Sequence, residues 1–419
     1  MTLTDSARGR KLLFAALYLC EGAPIGFLWW ALPVRLAEAG VSGPDVAVLL
    51  SLLVLPWGLK VLWAPALDVL RSARFGLRGW ILTSQLLMGL TLLPLLWLDP
   101  LADFGLLTVL LMAHAVFAAT QDAAIDTLAI STVPEAERGA VTAWMQVGVL
   151  TSRALFGGGA LLLGNRFGDR TLVVLLIALV WGGSLVLLLG GASPGPAPPV
   201  RRRERLATFL SHLRGMLADR VTWVGFALAL LVGAGFEATT SLAGVWLTGR
   251  GVGSDAIGWY FTFGSVSAMV TGALLGGRAA DRWRRTTAVA VFEGAAALAV
   301  IALGLAAVAF PGPEHNGLML ALLAVVYLTV GLATAALYAL FMDLTDPALA
   351  ATQFCAFMAG VNLCESWSTA SLGQLLEPLG YGYGFAVMAL PSLAALLLLR
   401  WIEVGAPRAP APNLPPPPD

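Results

Sequence analysis

Apolar segments long enough to cross a bilayer recur along this chain at roughly 12–38, 45–69, 79–98, 104–132, 140–164, 171–191, 222–248, 255–277, 286–310, 317–343, 350–376 and 383–402. A transmembrane helix needs ~20 such residues, more if it is tilted. Within hydrocarbon every backbone polar group must be satisfied internally, so segments of this length are helices. The expected fold is therefore an all-α polytopic membrane protein of twelve transmembrane helices. Composition agrees, with 58% hydrophobic and 12% charged residues against ~25% charged in soluble domains. The net charge of zero offers no basic footprint for nucleic acid. Cys20, Cys355 and Cys364 lie in apolar runs without metal-ligand spacing, so neither a metal nor a cofactor is expected. The first apolar run follows Arg8, Arg10 and Lys11 and lacks a small-residue cleavage exit. It reads as a first span rather than a removed leader.

The segments fall into two groups of six. Residues 1–192 form an N-terminal half and 222–403 a C-terminal half, joined by a linker at 193–221 that begins S-P-G-P-A-P-P and carries Arg201, Arg202, Arg203 and Arg205. Residues 404–419, a proline-rich tail, are expected to be disordered. Alternate loops carry Arg8, Arg10 and Lys11, then Arg71, Arg74 and Arg78, then Arg138, the linker arginines, and Arg278, Arg282, Arg284 and Arg285. By the positive-inside rule both termini are cytoplasmic.

The halves also repeat. A-P-A-L-D-V-L-R-S-A-R, with Asp68, follows the second segment, and G-R-A-A-D-R-W-R-R, with Asp281, follows the eighth. G-V-S-G-P-D at Gly40–Asp45 answers G-V-G-S-D at Gly251–Asp255. A small residue, an aspartate and then basic residues, twice at matching positions, resembles the gating loop of the major facilitator superfamily. Asp68, Asp281, Arg282 and Arg285 are accordingly expected to latch conformations rather than bind cargo, the carboxylate pairing at a helix end.

Charge inside the spans marks the candidate site. Ala118–Thr127 reads A-A-T-Q-D-A-A-I-D-T in a long apolar run. Asp122 and Asp126, four residues apart, share one helix face. A carboxylate at the bilayer centre costs ~2.5–3.5 kcal/mol on insertion scales, which points to a proton relay, a substrate pathway or an ion pair. The alternative is that Asp126 is solvated near a helix end. Glu21, Lys60, Arg153, Glu237, Glu293 and Glu365 are also intramembrane. Counting depth at ~1.5 Å per residue places Glu21 level with Lys60 and Asp122 near Arg153. Those are the expected ion pairs; Glu21–Lys60 reads equally as a static clamp or as a coupling element. With the facilitator arrangement, Glu21, Asp122, Asp126 and Glu237 face a central cavity, with Gln121 beside the aspartates and Gln146, Arg153, Asn362 and Glu365 flanking. Trp29, Trp30, Trp144, Trp246 and Trp367 are candidates for stacking on a ring, or membrane-interface residues. Gly22-x-x-x-Gly26 and Gly272-x-x-x-Gly276 are faces for close helix approach, and Pro24 and Pro33 predict a kinked first helix. The G-Y-G-Y-G run at Gly380–Gly384 reads as a turn. H-E-x-x-H, a paired cysteine set and a phosphate loop are all absent from the sequence, so an enzyme is not expected.

Three stretches go further: L-P-W-G-L-K-V-L-W-A-P-A-L-D at Leu55–Asp68, A-T-Q-D-A-A-I-D at 119–126, and A-T-Q-F at 351–354 after Met342-Asp343. With E-G-A-P-I-G-F at 21–27 and E-R-G-A at 137–140, they resemble the AmpG muropeptide permeases. The first two also resemble eukaryotic acetyl-CoA transporters. The resemblance implies a proton-coupled importer in the bacterial inner membrane, with Lys60, Asp68, Gln121, Asp122 and Asp126 at patterned positions. Its cargo would be anhydro-muropeptides and its partners protons and lipid, with the protein a monomer. A siderophore importer or a drug exporter of the same fold is the alternative.

Overall fold

The computed structural model describes residues 2–63, 76–134, 137–190, 214–215, 217–345 and 350–402, and every regular element among them is helical. Asp68 with its loop, the arginine-rich linker and the tail after Ile402 lie outside the described residues. The described residues build eleven principal helical runs. They are α1 (Ala7–Glu38), α2 (Gly43–Leu62), α3 (Leu77–Leu96), α4 (Phe104–Thr132) and α5 (Ala140–Phe156 then Gly158–Phe167). Next come α6 (Asp169–Leu189), α7 (Arg220–Gly249), α8 (254–282), α9 (Arg285–Ala309), α10 (Pro313–Leu344) and α11 (Gln353–Trp401).

Nine of these are long and apolar enough to cross a membrane, or ten with the two parts of α5, bent by 40°, taken as one span. The twelve expected spans are not matched one for one. Run α8 is helical but more polar, with Arg278, Asp281 and Arg282 in its last turns. Run α11 is continuous over 49 residues except at Gly380, whose φ of 70° breaks the helix inside the G-Y-G-Y-G run.

The part of the sequence repeat at Gly40–Asp45 and Gly251–Asp255 is a repeat of turns. α1 ends at Gly40 (φ 91°) and α7 at Gly251 (φ 76°), left-handed positions that suit glycine. After the first turn Ser42 caps α2, its Oγ accepting from the Asp45 backbone N–H at 3.2 Å and donating to the Asp45 carboxylate at 2.6 Å. The two small-residue faces make the close helix approaches expected of them. A Cβ on Gly26 would stand 2.7 Å from Arg153 Cα, and one on Gly276 2.8 Å from Leu332 Cα. Thus α1 lies directly on α5, and α8 on α10.

Each of α1 and α8 also contains a π-helical stretch, Phe27–Ala31 and Tyr260–Ser265. The first follows Pro24, which has no backbone N–H to keep the regular ladder. The two stretches meet, Trp30 stacking on Phe261 with centroids 5.6 Å apart and planes at 24°.

Outside the spans, Arg10 clamps Glu137 with three N–H···O bonds of 2.7–2.9 Å, tying the start of α1 to the α4–α5 connection. Hydrogen bonding from Arg10 holds the Glu137 carboxyl below the usual glutamate range. A depressed carboxyl contributes stability above its unfolded-state value of ~4.3 and loses it as pH falls through the lower folded value. Hydrogen exchange at the first turns of α1 should therefore accelerate below about pH 4. Glu137→Gln should show that faster exchange already at neutral pH and little further change on acidification.

Candidate functional site

Charge is gathered where α1, α2 and α4 meet. Lys60 begins the short 3₁₀ turn Lys60–Leu62 that ends α2. That turn carries its Nζ onto Asp122 Oδ2 of α4, a direct ion pair with the two side chains 24% and 10% exposed. One helical turn on, Asp126 Oδ1 accepts from the Tyr18 hydroxyl of α1 at 2.5 Å. Glu21, one turn beyond Tyr18, has Asp122, Asp126 and Lys60 as its electrostatic neighbours. Its Oε2 is buried without a partner. Gln121 is fully buried beside them with neither amide atom bonded. Trp63 Nε1 donates to Thr120 Oγ1 at 3.2 Å, holding the end of α2 against α4.

A second group lies across α5, α7 and α11. Glu365 Oε1 accepts from Trp29 Nε1 at 2.8 Å, linking α11 to α1. Trp29 meets Trp57 edge to face at 5.7 Å. Glu365, Glu237, Tyr338 and Glu21 are the electrostatic neighbours of Arg153. Arg153 is thus the link between the two groups.

The structure brings Glu21, Lys60, Asp122 and Asp126 together, and Arg153, Glu237 and Glu365 together, but it redistributes the expected pairs. Lys60 pairs with Asp122 rather than Glu21, because the end of α2 packs on α4. Arg153 serves the glutamates of α7 and α11 rather than Asp122. Asn362 donates to its own helix at Met358 O, 3.0 Å away, and Gln146 is exposed on α5. Of the tryptophans, Trp29 and Trp30 belong to the groups described. Trp246 is core, 4% exposed and edge-on to Phe385. Trp367 is pinned to Leu230 O at 2.8 Å, and Trp144 is exposed.

Of the gating residues, Arg285 at the start of α9 bonds Asp281 at 3.2 Å and Asp343, at the end of α10, at 2.9 Å. Arg282 is exposed. Tyr18 and Asp343 are members of these groups that sequence reasoning misses. Tyr18 sits three residues before Glu21 and so on its face, a signal that is present but not distinctive. Asp343 belongs to the Met342-Asp343 pair whose partner only the fold supplies.

At the opposite end of the bundle the helices form a seam. Asn165 of α5 donates to Ser254 Oγ at 3.1 Å and Asp255 Oδ1 at 2.7 Å on α8. Arg35 of α1 holds the Asn165 side-chain oxygen at 2.8 Å and Asp169 at 3.0 Å. A Cβ on Gly258 would stand 2.8 Å from Gly158 O, so α5 and α8 touch backbone to backbone there. From this seam the first part of α5 leads away with Trp144, Gln146, Val147 and Leu150 exposed.

An all-helical bundle with many apolar spans, polar groups between its helices and one closed end has the architecture of a membrane transporter. The Major Facilitator Superfamily profile matches residues 14–369, and the chain belongs to that family. It is 28% identical over 351 residues to the anhydromuropeptide permease of Escherichia coli strain K12, covering 81% of this chain and 70% of that protein. It is 22% identical over 404 residues to the putative transporter AmpG 4 of Rickettsia felis, covering 92% and 94%. Among solved structures, a D-xylose-proton symporter superposes with a TM-score of 0.70 at 14% identity, covering 93% of this chain and 96% of that one. The nucleoside transporter NupG superposes at 0.70 and 13%, covering 94% and 99%. These relatives are transporters and not enzymes.

Proposed function

We propose that this transporter imports an anhydro-muropeptide across the bacterial inner membrane, coupled to protons, by alternating access. The 28% identity to the Escherichia coli anhydromuropeptide permease, sustained over 81% of the chain, is the observation that carries the cargo. In this reading twelve spans form two six-helix halves, both termini are cytoplasmic, and the protein acts as a monomer. The seam around Asn165 and Gly258 is then the periplasmic gate, shut, and the conformation is open inward.

Proton coupling is supported by the cluster on α1, α2 and α4. Three carboxyl groups, Glu21, Asp122 and Asp126, share one lysine. Burying three anions against one cation is unfavourable, so protons balance the charge, and cargo with anionic groups would compete for Lys60 and Arg153. Asp122 is the proton acceptor of this reading: protonation weakens its hold on Lys60 and frees α2 from α4. The pair thereby becomes a two-state element that a proton biases. Replacing Asp122 by Asn should abolish proton-driven uptake of anhydro-muropeptide by proteoliposomes and leave the protein folded, since Asp126 and Glu21 remain near Lys60. Uptake that persisted with its pH dependence intact would remove Asp122 from the coupling step.

A further inference from the structure

Glu293 lies in the middle of α9, 1% exposed, and neither of its carboxyl oxygens has a hydrogen-bond partner. Around it are Ala296, Ala297 and Phe292, all buried. The titratable groups that face this region come from three packed elements. From α7 comes Glu237; from α11 come Cys364, whose charged neighbours are Glu237, Glu293 and Glu365, and Glu365 itself. From α10 comes Tyr338, which lies against Glu237 rather than Glu293. Arg153 has Glu365 and Glu237 as charged neighbours, and not Glu293. Glu237 is only partly buried.

An ionised carboxylate in such a place, with no cation and no donor, is among the costliest arrangements in a protein. A neutral carboxylic acid removes the charge and requires only that one O–H be placed. Among the described residues, Glu21, Asp122, Asp126, Glu237 and Glu365 have Lys60 or Arg153 as cationic neighbours, and Glu293 has neither. The lysine cluster accounts for one excess, and the α7–α9–α11 group holds another.

We infer that Glu293 is a second proton-binding station, which holds a proton as a neutral acid among the packed helices α7, α9, α10 and α11. The proton is released from Glu293 Oε to water when the helices around α9 part, and is taken up from water by the reverse path; no other bond changes. This deepens the transport reading only in giving the stored proton a use. The station itself exists or fails independently of cargo.

The test uses purified full-length protein in lipid, without substrate, with infrared difference spectra recorded across about pH 5 to 10. The expected result is a neutral-carboxyl C=O band in the wild type that persists where exposed carboxyls are ionised and declines as pH rises further. It should be missing in Glu293→Gln and displaced in pH by Glu237→Gln, with about one proton fewer released per molecule in Glu293→Gln. Should Glu293→Gln fail to fold, Glu293→Asp should keep the band at a shifted frequency. A wild-type spectrum unchanged by Glu293→Gln overturns the proposal, as does a band that is lost in that variant but never titrates, since Glu293 would then be a static buried acid. Loss of muropeptide uptake with the band intact, by contrast, would count against the transport reading alone.

Discussion

Lys60→Met is expected to destabilise the folded protein by about 3–5 kcal/mol and to bring transport to background, whereas Lys60→Met combined with Asp122→Asn should recover most of that stability and none of the transport. Removing the lysine leaves Asp122 beside Asp126 and Glu21 with no cation, three carboxyls crowded in low dielectric. The double change replaces the pair with neutral groups of similar volume, which buried pairs tolerate well. Asp122→Asn alone should cost less than Lys60→Met, because the ammonium keeps two acidic neighbours. The asymmetry distinguishes a coupling site from a simple clamp. A clamp would lose transport only in proportion to lost stability, so the double variant would transport again. Thermal unfolding in detergent, with uptake measured on the same preparations, reads both quantities as a double-mutant cycle.

Gly258→Leu should drive the protein out of the conformation seen here. Gly158 and Gly258 approach with no room for a side chain, and no backbone peculiarity requires glycine at either position, since neither has a positive φ. Overpacking of about 1–3 kcal/mol would be imposed on the closed seam alone and would vanish once α5 and α8 part. The equilibrium should shift by roughly 5- to 150-fold toward the form open at the Asn165 end. A cysteine placed near Ser254 would then label faster from that side, while turnover falls because the seam no longer closes. Asn165→Ala should act in the same direction more weakly, since it removes hydrogen bonds to Ser254 and Asp255 that are exposed to water. Unchanged labelling in Gly258→Leu would mean that the seam does not open during the cycle.

Much of the architecture was legible in the chain because a bilayer leaves so few solutions. Span-length apolar runs, the small-residue faces of α1 and α8, and the paired glycine turns at Gly40 and Gly251 all appear where their patterns put them. Hydropathy was less able to deliver the count. Run α8 is amphipathic where Arg278 and Asp281 approach the helix end, whereas the turn read in G-Y-G-Y-G coincides with the break at Gly380 in α11.

The site was legible as a set of residues and not as a set of bonds. Helical spacing gives the depth of Glu21, Lys60, Asp122 and Arg153 and the face each one shares. It does not give the rotation of one helix against the next, and that rotation decides whether Lys60 meets Glu21 or Asp122. The 3₁₀ turn at the end of α2, which aims Lys60, has no distinct signature in L-K-V-L-W. The part played by Tyr18 and the isolation of Glu293 were hidden for opposite reasons. A tyrosine in a span is ordinary until its hydroxyl is found on Asp126, and a glutamate without a partner is identified only when the neighbours are known.

Proton uptake triggered by cargo is the signature of proton-coupled import of a muropeptide. Purified protein in proteoliposomes with a pH-sensitive dye inside would be given anhydro-muropeptide, and in parallel a panel of ferric siderophores. Acidification of the lumen on adding the muropeptide alone, absent in Asp122→Asn, is the predicted result. Acidification with a siderophore and silence with the muropeptide would contradict it.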